Sequence, residues 1–486
     1  MREINPPSPD SPAGDDDPWA FVTARKPQKS LPIPDAAADG IVPEPIAALG
    51  SRLEDAGSLS AMQALRLRGR PMAWALTATF FVGCLTEIVA SARLVSLLGP
   101  TALVIIFILG GFALIFSAIL QMTWIDRIRR DNALVRITII YVVLFVLALV
   151  LTAYQPTTLW GNGLIVLLSD QLLFLLPFII WAIVGDLFNA GEGRRVYPWI
   201  TSWQYGGEIS GLALAAIAPL FFVPLQLPLW SVLIICPVIL VLIPILLPRA
   251  LTGRVISRGH GRDESLRTSM KSTWEFVGGI KAFHALLIAS ILVFAAGLTL
   301  EASFLTSGDR ILGDEAKLQM LYGGTAVIVY TTCAILQKFY MTRIVERLNI
   351  PGSLAVLPMA AIVASLLIMT ALLAGQFVPL LMIGIIAWWI PRWSISEVAR
   401  HAALAVVPDE KRARVSFMVG VVPVALGLIL AGLITWLVAW LGWPVLAPVI
   451  ALGFAAVALI PARAMVKAWS DALLDPRLRR RKRLSS

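Results

Sequence analysis

Five ionisable residues stand inside long apolar stretches of this sequence: Glu87, Asp170, Glu208, Glu301 and Arg392. In hydrocarbon such a group costs at least about 2.5–3.5 kcal/mol, so a chain keeps one there for pairing or for work. A carboxylate so placed can carry a proton or hold a cation, and an arginine can grip an anion or neutralise a carboxylate. Other chemistries find no support. His260, His284 and His401 form no ligand cluster, and Cys84, Cys236 and Cys333 lie in apolar stretches without metal or disulfide spacing. The sequence contains no GxxxxGK[ST] phosphate loop and no nucleophile–base constellation. No enzyme activity, metal or cofactor is expected.

Each of the five has a structural alternative. Arg93 lies six residues beyond Glu87, about 240° around a helix, so the two do not share a face. Near the end of its stretch, Arg93 reads as snorkelling to the headgroups. Asp170 is followed by Pro177, which permits a bend. Glu87 and Asp170 are read as functional. Glu301 is open between a cavity and an interfacial position. Glu208 sits in Gly206-Gly207-Glu208-Ile209-Ser210-Gly211, where glycines four apart allow close helix packing. Substrate contact, gating and structural pairing are all open for it. Arg392 follows Pro391 in Trp388-Trp389-Ile390-Pro391-Arg392-Trp393. The proline bends the helix, and the tryptophans either stack on a cation or form an interfacial belt. A cavity position is taken for Arg392.

The elements that must position these residues follow from composition. Hydrophobic residues make up 58% and charged residues 14%, with mean hydropathy +0.81, against about 25% charged in a soluble domain. Each crossing needs about 20 apolar residues. Breaks at Pro, Gly and charge predict twelve spans: 72–98, 101–124, 134–153, 162–186, 199–222, 229–248, 282–304, 319–341, 353–373, 377–401, 415–440 and 444–466. The five candidates fall in spans 1, 4, 5, 7 and 10. The fold class is an all-α polytopic membrane protein of about twelve transmembrane helices in two six-helix halves.

The net charge of +10 sits between spans, which reads as topology and contact with anionic lipids rather than nucleic-acid binding. Arginines gather in alternate connections, at Arg127–Arg130, Arg194–Arg195, 249–281, Arg343–Arg347 and Lys411–Arg414, and in the tail Arg477–Arg483. This bias puts both termini in the cytoplasm; Arg far exceeding Lys points to a GC-rich bacterial genome, so the membrane expected is the bacterial inner membrane. Residues 1–70 are rich in Pro, Ala and Asp and read as a disordered cytoplasmic tail, whose end, Leu59–Arg70, is open to a short basic helix. The domains are then 1–70, a six-helix half 71–248, a cytoplasmic connection 249–281, a second half 282–467 and a basic tail 468–486.

The halves echo each other. Asp126-Arg127-Ile128-Arg129-Arg130 faces Thr342-Arg343-Ile344-Val345-Glu346-Arg347 at the corresponding connection. At these residues the chain resembles the major facilitator superfamily, whose loop motif braces adjacent helices at the cytoplasmic face. The usual glycine before the Asp is missing. Gly185-Asp186-x-Phe188-x2-Gly191-Glu192-x-Arg194-Arg195-x-Tyr197-Pro198 and Pro408-Asp409-Glu410-Lys411-Arg412-Ala413-Arg414 look like stretches of the ATP/ADP translocase-like branch. That branch has polar residues where this chain has Ala402, Ala403, Leu404 and Ala405.

The resemblance implies a secondary transporter working by alternating access, with spans 1, 4, 7 and 10 around a central cavity. Together with the intramembrane charges it predicts a substrate or proton cavity at Glu87, Asp170, Glu301 and Arg392, with Glu208 of span 5 as a further candidate, and a cytoplasmic gate at Asp126, Arg127, Arg130, Glu192, Arg194 and Arg195. Partners are a small solute, lipids and a coupling proton. Nucleotide exchange and a non-transporting scaffold are the alternatives. One arginine is a poor match for a nucleotide's phosphates.

Overall fold

The computed structural model describes residues 44–188, 190–251, 266–475 and 478. Among these residues the secondary structure is helical with no strand. Met62–Ser486 forms one compact unit.

Eleven helices are long and apolar enough to cross a membrane. The first of them, Met62–Leu120, has 59 residues and would run about 90 Å at 1.5 Å per residue, some three hydrocarbon thicknesses. It is broken at Gly99, where φ is 67° and ψ is −170°. Glycine takes that backbone without a Cβ penalty, and Pro100 after it has no N–H to continue the helix. The stretch is therefore spans 1 and 2, and the crossings number twelve among the described residues. Span 3 is Arg130–Tyr154, span 4 Leu159–Leu187, span 5 Val196–Phe222 and span 6 Leu229–Leu251. In the second half span 7 is Lys281–Leu312, span 8 Glu315–Phe339, span 9 Arg343–Leu373, span 10 Val378–Leu404, span 11 Arg414–Leu441 and span 12 Leu446–Leu474. Twelve apolar crossings make this a multi-pass membrane protein.

Two proline positions shape the spans that matter for the site. Span 4 divides into Leu159–Phe174 and Leu176–Leu187, because Pro177 cannot donate to the carbonyl four residues back. Span 10 divides at Pro391 into Val378–Pro391, a π-turn Arg392–Ser396, and Glu397–Ala405. A π-turn widens the ring of backbone hydrogen bonds and frequently marks a functional position.

Outside the crossings, two expectations need amendment. A helix begins at Glu44, inside the segment read as a disordered tail. From Ile46 to Arg70 the sequence has no proline and is rich in Ala, Leu and Arg, all strong helix formers. Residues 1–43 lie outside the described residues. The connection 249–281 contains a helix, Leu266–Gly279, whose Phe276 and Val277 are buried beneath span 7 while Trp274 stays exposed.

The bundle is stitched by small residues. Span 5 meets span 1 where Cβ atoms at Gly207 and Gly211 would overlap the backbone of Thr77 and Phe81. This is the close approach that the glycine spacing predicts. Across the halves, Gly111 of span 2 lies against the Ala425 carbonyl and Ile429 of span 11. Gln319 Nε2 of span 8 donates to the Ala215 carbonyl of span 5 at 2.7 Å. Large apolar side chains such as Phe116, Trp440 and Ile460 stay exposed on the outside, as a lipid-facing surface permits.

Candidate functional site

A cavity lies between the two halves. Its wall takes residues from spans 1, 2, 4 and 5 on one side and 7, 8, 10 and 11 on the other. Glu87, Asp170, Glu301 and Arg392 all line it. Four of the five ionisable candidates thus meet in one chamber.

Glu301 and Arg392 are its most ordered feature. Arg392 Nη1 donates to Glu301 Oε1 at 2.6 Å, and the same oxygen accepts from the indoles of Trp388 at 3.1 Å and Trp389 at 2.8 Å. Glu301 is 9% exposed and Arg392 7%, so both face protein rather than the outside of the bundle. Span 7 runs on to Leu312, eleven residues beyond Glu301. The guanidinium also lies over the rings of Trp393 at 4.6 Å and Phe294 at 5.2 Å. Trp388 is fully buried and packs on span 7 where a Cβ at Gly297 would overlap its ring. Gly297 and Glu301 are one helical turn apart, so a single face of span 7 seats the indole and accepts its N–H. At Trp388 and Trp389 the interfacial belt gives way to buried donors.

Glu87 accepts a hydrogen bond from the Tyr322 hydroxyl of span 8 at 3.2 Å. The Tyr322 ring stacks obliquely on Trp389, with centroids 5.7 Å apart, so Glu87 is linked through two aromatics to the Glu301 cluster. Asp170 has neither a hydrogen bond nor an ion pair among the described residues. Its Oδ2 lies 3.1 Å from where a Cβ at Gly110 of span 2 would stand.

Glu208 does not line this cavity. It is buried at 4% exposure, accepts from Gln204 Nε2 at 2.9 Å, and leaves Oε2 without a partner. It stands apart from the other four, although Leu212, one turn further along the same helix face, does line the cavity.

At the end that charge bias assigns to the outside, the halves are clasped. Arg93 of span 1 donates to Asn162 Oδ1 at 3.0 Å, to the Pro156 carbonyl at 3.1 Å, and to both Glu315 oxygens at 3.3 Å. Ser96 Oγ donates to Asp309 Oδ1 at 2.6 Å. Arg93 is 8% exposed, so it does not snorkel to the headgroups. The acids that make these contacts stand at the end of span 7 and the start of span 8.

At the opposite end, Arg130 Nη1 donates to Asp186 Oδ1 at 2.7 Å and to the Ala182 carbonyl at 3.2 Å. This pins the span 2–3 corner to span 4. Glu192 pairs with Arg68 at 3.4 Å. The side chains of Asp126, Arg127, Arg194 and Arg195 lie outside the described residues.

Tyr322, Arg93 and Asp186 carry contacts that sequence reasoning did not assign. Asp186 had a visible signal, since it stands in the Gly185-Asp186 motif. Tyr322 had only a polar hydroxyl within an apolar span.

No protein-family model and no curated protein matches this chain. Among solved structures it is similar to the nucleoside transporter NupG, with 17% identity, TM-score 0.59, and 83% of this chain and 99% of that one covered. A POT family transporter in complex with a thioalcohol-conjugated peptide aligns with 13% identity, TM-score 0.61 and coverage of 85% and 100%. A bacterial homologue of the iron transporter ferroportin in an inward-facing state aligns with 15% identity, TM-score 0.56 and coverage of 84% and 99%. At these identities the likeness is one of fold, and the fold is the one these transporters share.

Proposed function

We propose that the protein is a secondary transporter that moves a small solute by alternating access, coupled to protons through Glu87 and Asp170. The observation that carries this reading is the convergence of charged groups from spans 1, 4, 7 and 10 on one cavity between the halves. Apolar packing alone has no use for four such residues, each costly in hydrocarbon. The Arg93–Glu315 and Ser96–Asp309 contacts then act as the outer gate, since they join the halves and must break for the cavity to open that way. Arg130, Asp186, Glu192 and Arg68, with Asp126, Arg127, Arg194 and Arg195, brace the cytoplasmic end. The Lys and Arg distribution supports a bacterial inner membrane with both termini inside.

The motif resemblance to the ATP/ADP translocase-like branch favours nucleotide exchange as a second reading. Against it, Arg392 is the one cation on the described cavity wall, and it is already paired to Glu301. Uptake into proteoliposomes under an imposed proton gradient tests the main reading, with a panel of amines, zwitterions, neutral solutes and ATP. Gradient-driven accumulation of a non-nucleotide solute is expected. Uptake of ATP alone, unaffected by the gradient, would restore the nucleotide reading.

A further inference from the structure

We propose that the central cavity selects a solute with a positive charge, an amine-bearing organic cation, and that Asp170 is the carboxylate that meets it. This rests on the transporter reading and names the class of substrate for the same site.

Three carboxylates and one guanidinium line the cavity. The guanidinium already has a counter-charge. Its Nη1 is held by Glu301 at 2.6 Å, and aromatic rings of Phe294, Trp388 and Trp393 stand within 6 Å of it. A solute carboxylate or phosphate would share the guanidinium with a Glu301 oxygen that two indoles also hold. The charge of Arg392 is already matched by the protein itself. Glu87 is met by the Tyr322 hydroxyl.

Asp170 is the exception. No donor reaches it among the described residues, and its Oδ2 lies close to Gly110, which has no side chain to offer one. The charged groups that face it from other spans are Glu87 and Glu301, which repel a negative charge, and Arg392, which attracts one. A carboxylate in this setting needs a donor, and an ammonium group supplies charge and hydrogen bond together. Phe107, Phe174 and Trp389 on the same wall add ring faces that attract cations.

The test uses three molecules of one skeleton titrated calorimetrically into the full chain in lipid nanodiscs: tyramine as cation, 4-ethylphenol as neutral analogue and 4-hydroxyphenylpropionate as anion. Saturable tyramine binding is expected, with the neutral analogue and Asp170→Asn each weaker by about tenfold to a hundredfold, the span of one charge-assisted hydrogen bond. Asp170→Glu keeps the charge and is expected to keep tyramine binding better than Asp170→Asn does. The wild-type comparison of cation with anion needs no variant, so misfolding of either one leaves the test standing. The proposal is overturned if the anion binds as well as tyramine, if tyramine does not bind, or if Asp170→Asn binds it unchanged. Failure of the transport reading is distinct: tyramine would still titrate while no solute enters proteoliposomes.

Discussion

Arg392 of span 10 reaches Glu301 of span 7 at 2.6 Å, with both residues almost fully buried. A buried ion pair of this kind balances a desolvation cost against its own attraction, so removing one partner is harsher than removing both. Glu301→Gln leaves Arg392 without a counter-charge and is expected to cost roughly 3–5 kcal/mol. The double variant Glu301→Gln/Arg392→Gln should recover part of that loss. Thermal or denaturant unfolding in nanodiscs measures both. Equal destabilisation in the single and double variants would mean that the pair contributes nothing specific.

Glu87 gives the coupling prediction. Glu87→Gln keeps the shape of the side chain and can still accept from the Tyr322 hydroxyl, but it no longer titrates. Proton-driven accumulation is expected to be lost, while solute-for-solute exchange, which moves no net proton, continues at normal expression. Accumulation against a gradient equal to wild type would remove Glu87 from the coupling role.

The outer clasp predicts access. In a background with Cys84, Cys236 and Cys333 replaced, Ser91→Cys places a thiol on the cavity wall. Adding Arg93→Ala removes the bonds to Glu315, Asn162 and the Pro156 carbonyl. Labelling of that thiol by a membrane-impermeant reagent from outside should then rise severalfold. No change in labelling would show that Arg93 does not hold the outer side closed.

Topology is open to reporter fusions. Those at positions 190, 260 and 405 should read cytoplasmic, and those at 157, 225 and 310 external. An external signal at 260 would reverse the assignment of the 249–281 connection and with it the six-plus-six plan.

By itself the sequence determined the crossings and their punctuation. Gly99-Pro100, Pro177 and Pro391 mark the breaks the structure shows, because apolar run length and the loss of a proline N–H are local properties. It also isolated the ionisable residues, since a charge among twenty apolar neighbours is conspicuous in one dimension. What it did not contain was their partners. Glu301 and Arg392 are 91 residues apart and Glu87 and Tyr322 are 235 apart. Arg93 read as a snorkelling cation because its acceptors come from the span 3–4 turn and the start of span 8. Glu208, alike in sequence to the other carboxylates, does not line the cavity they share. Only tertiary structure decides these, because the rotation of each helix about its axis is set by packing against several others at once. A turn of about 100° per residue moves a side chain from chamber to helix contact.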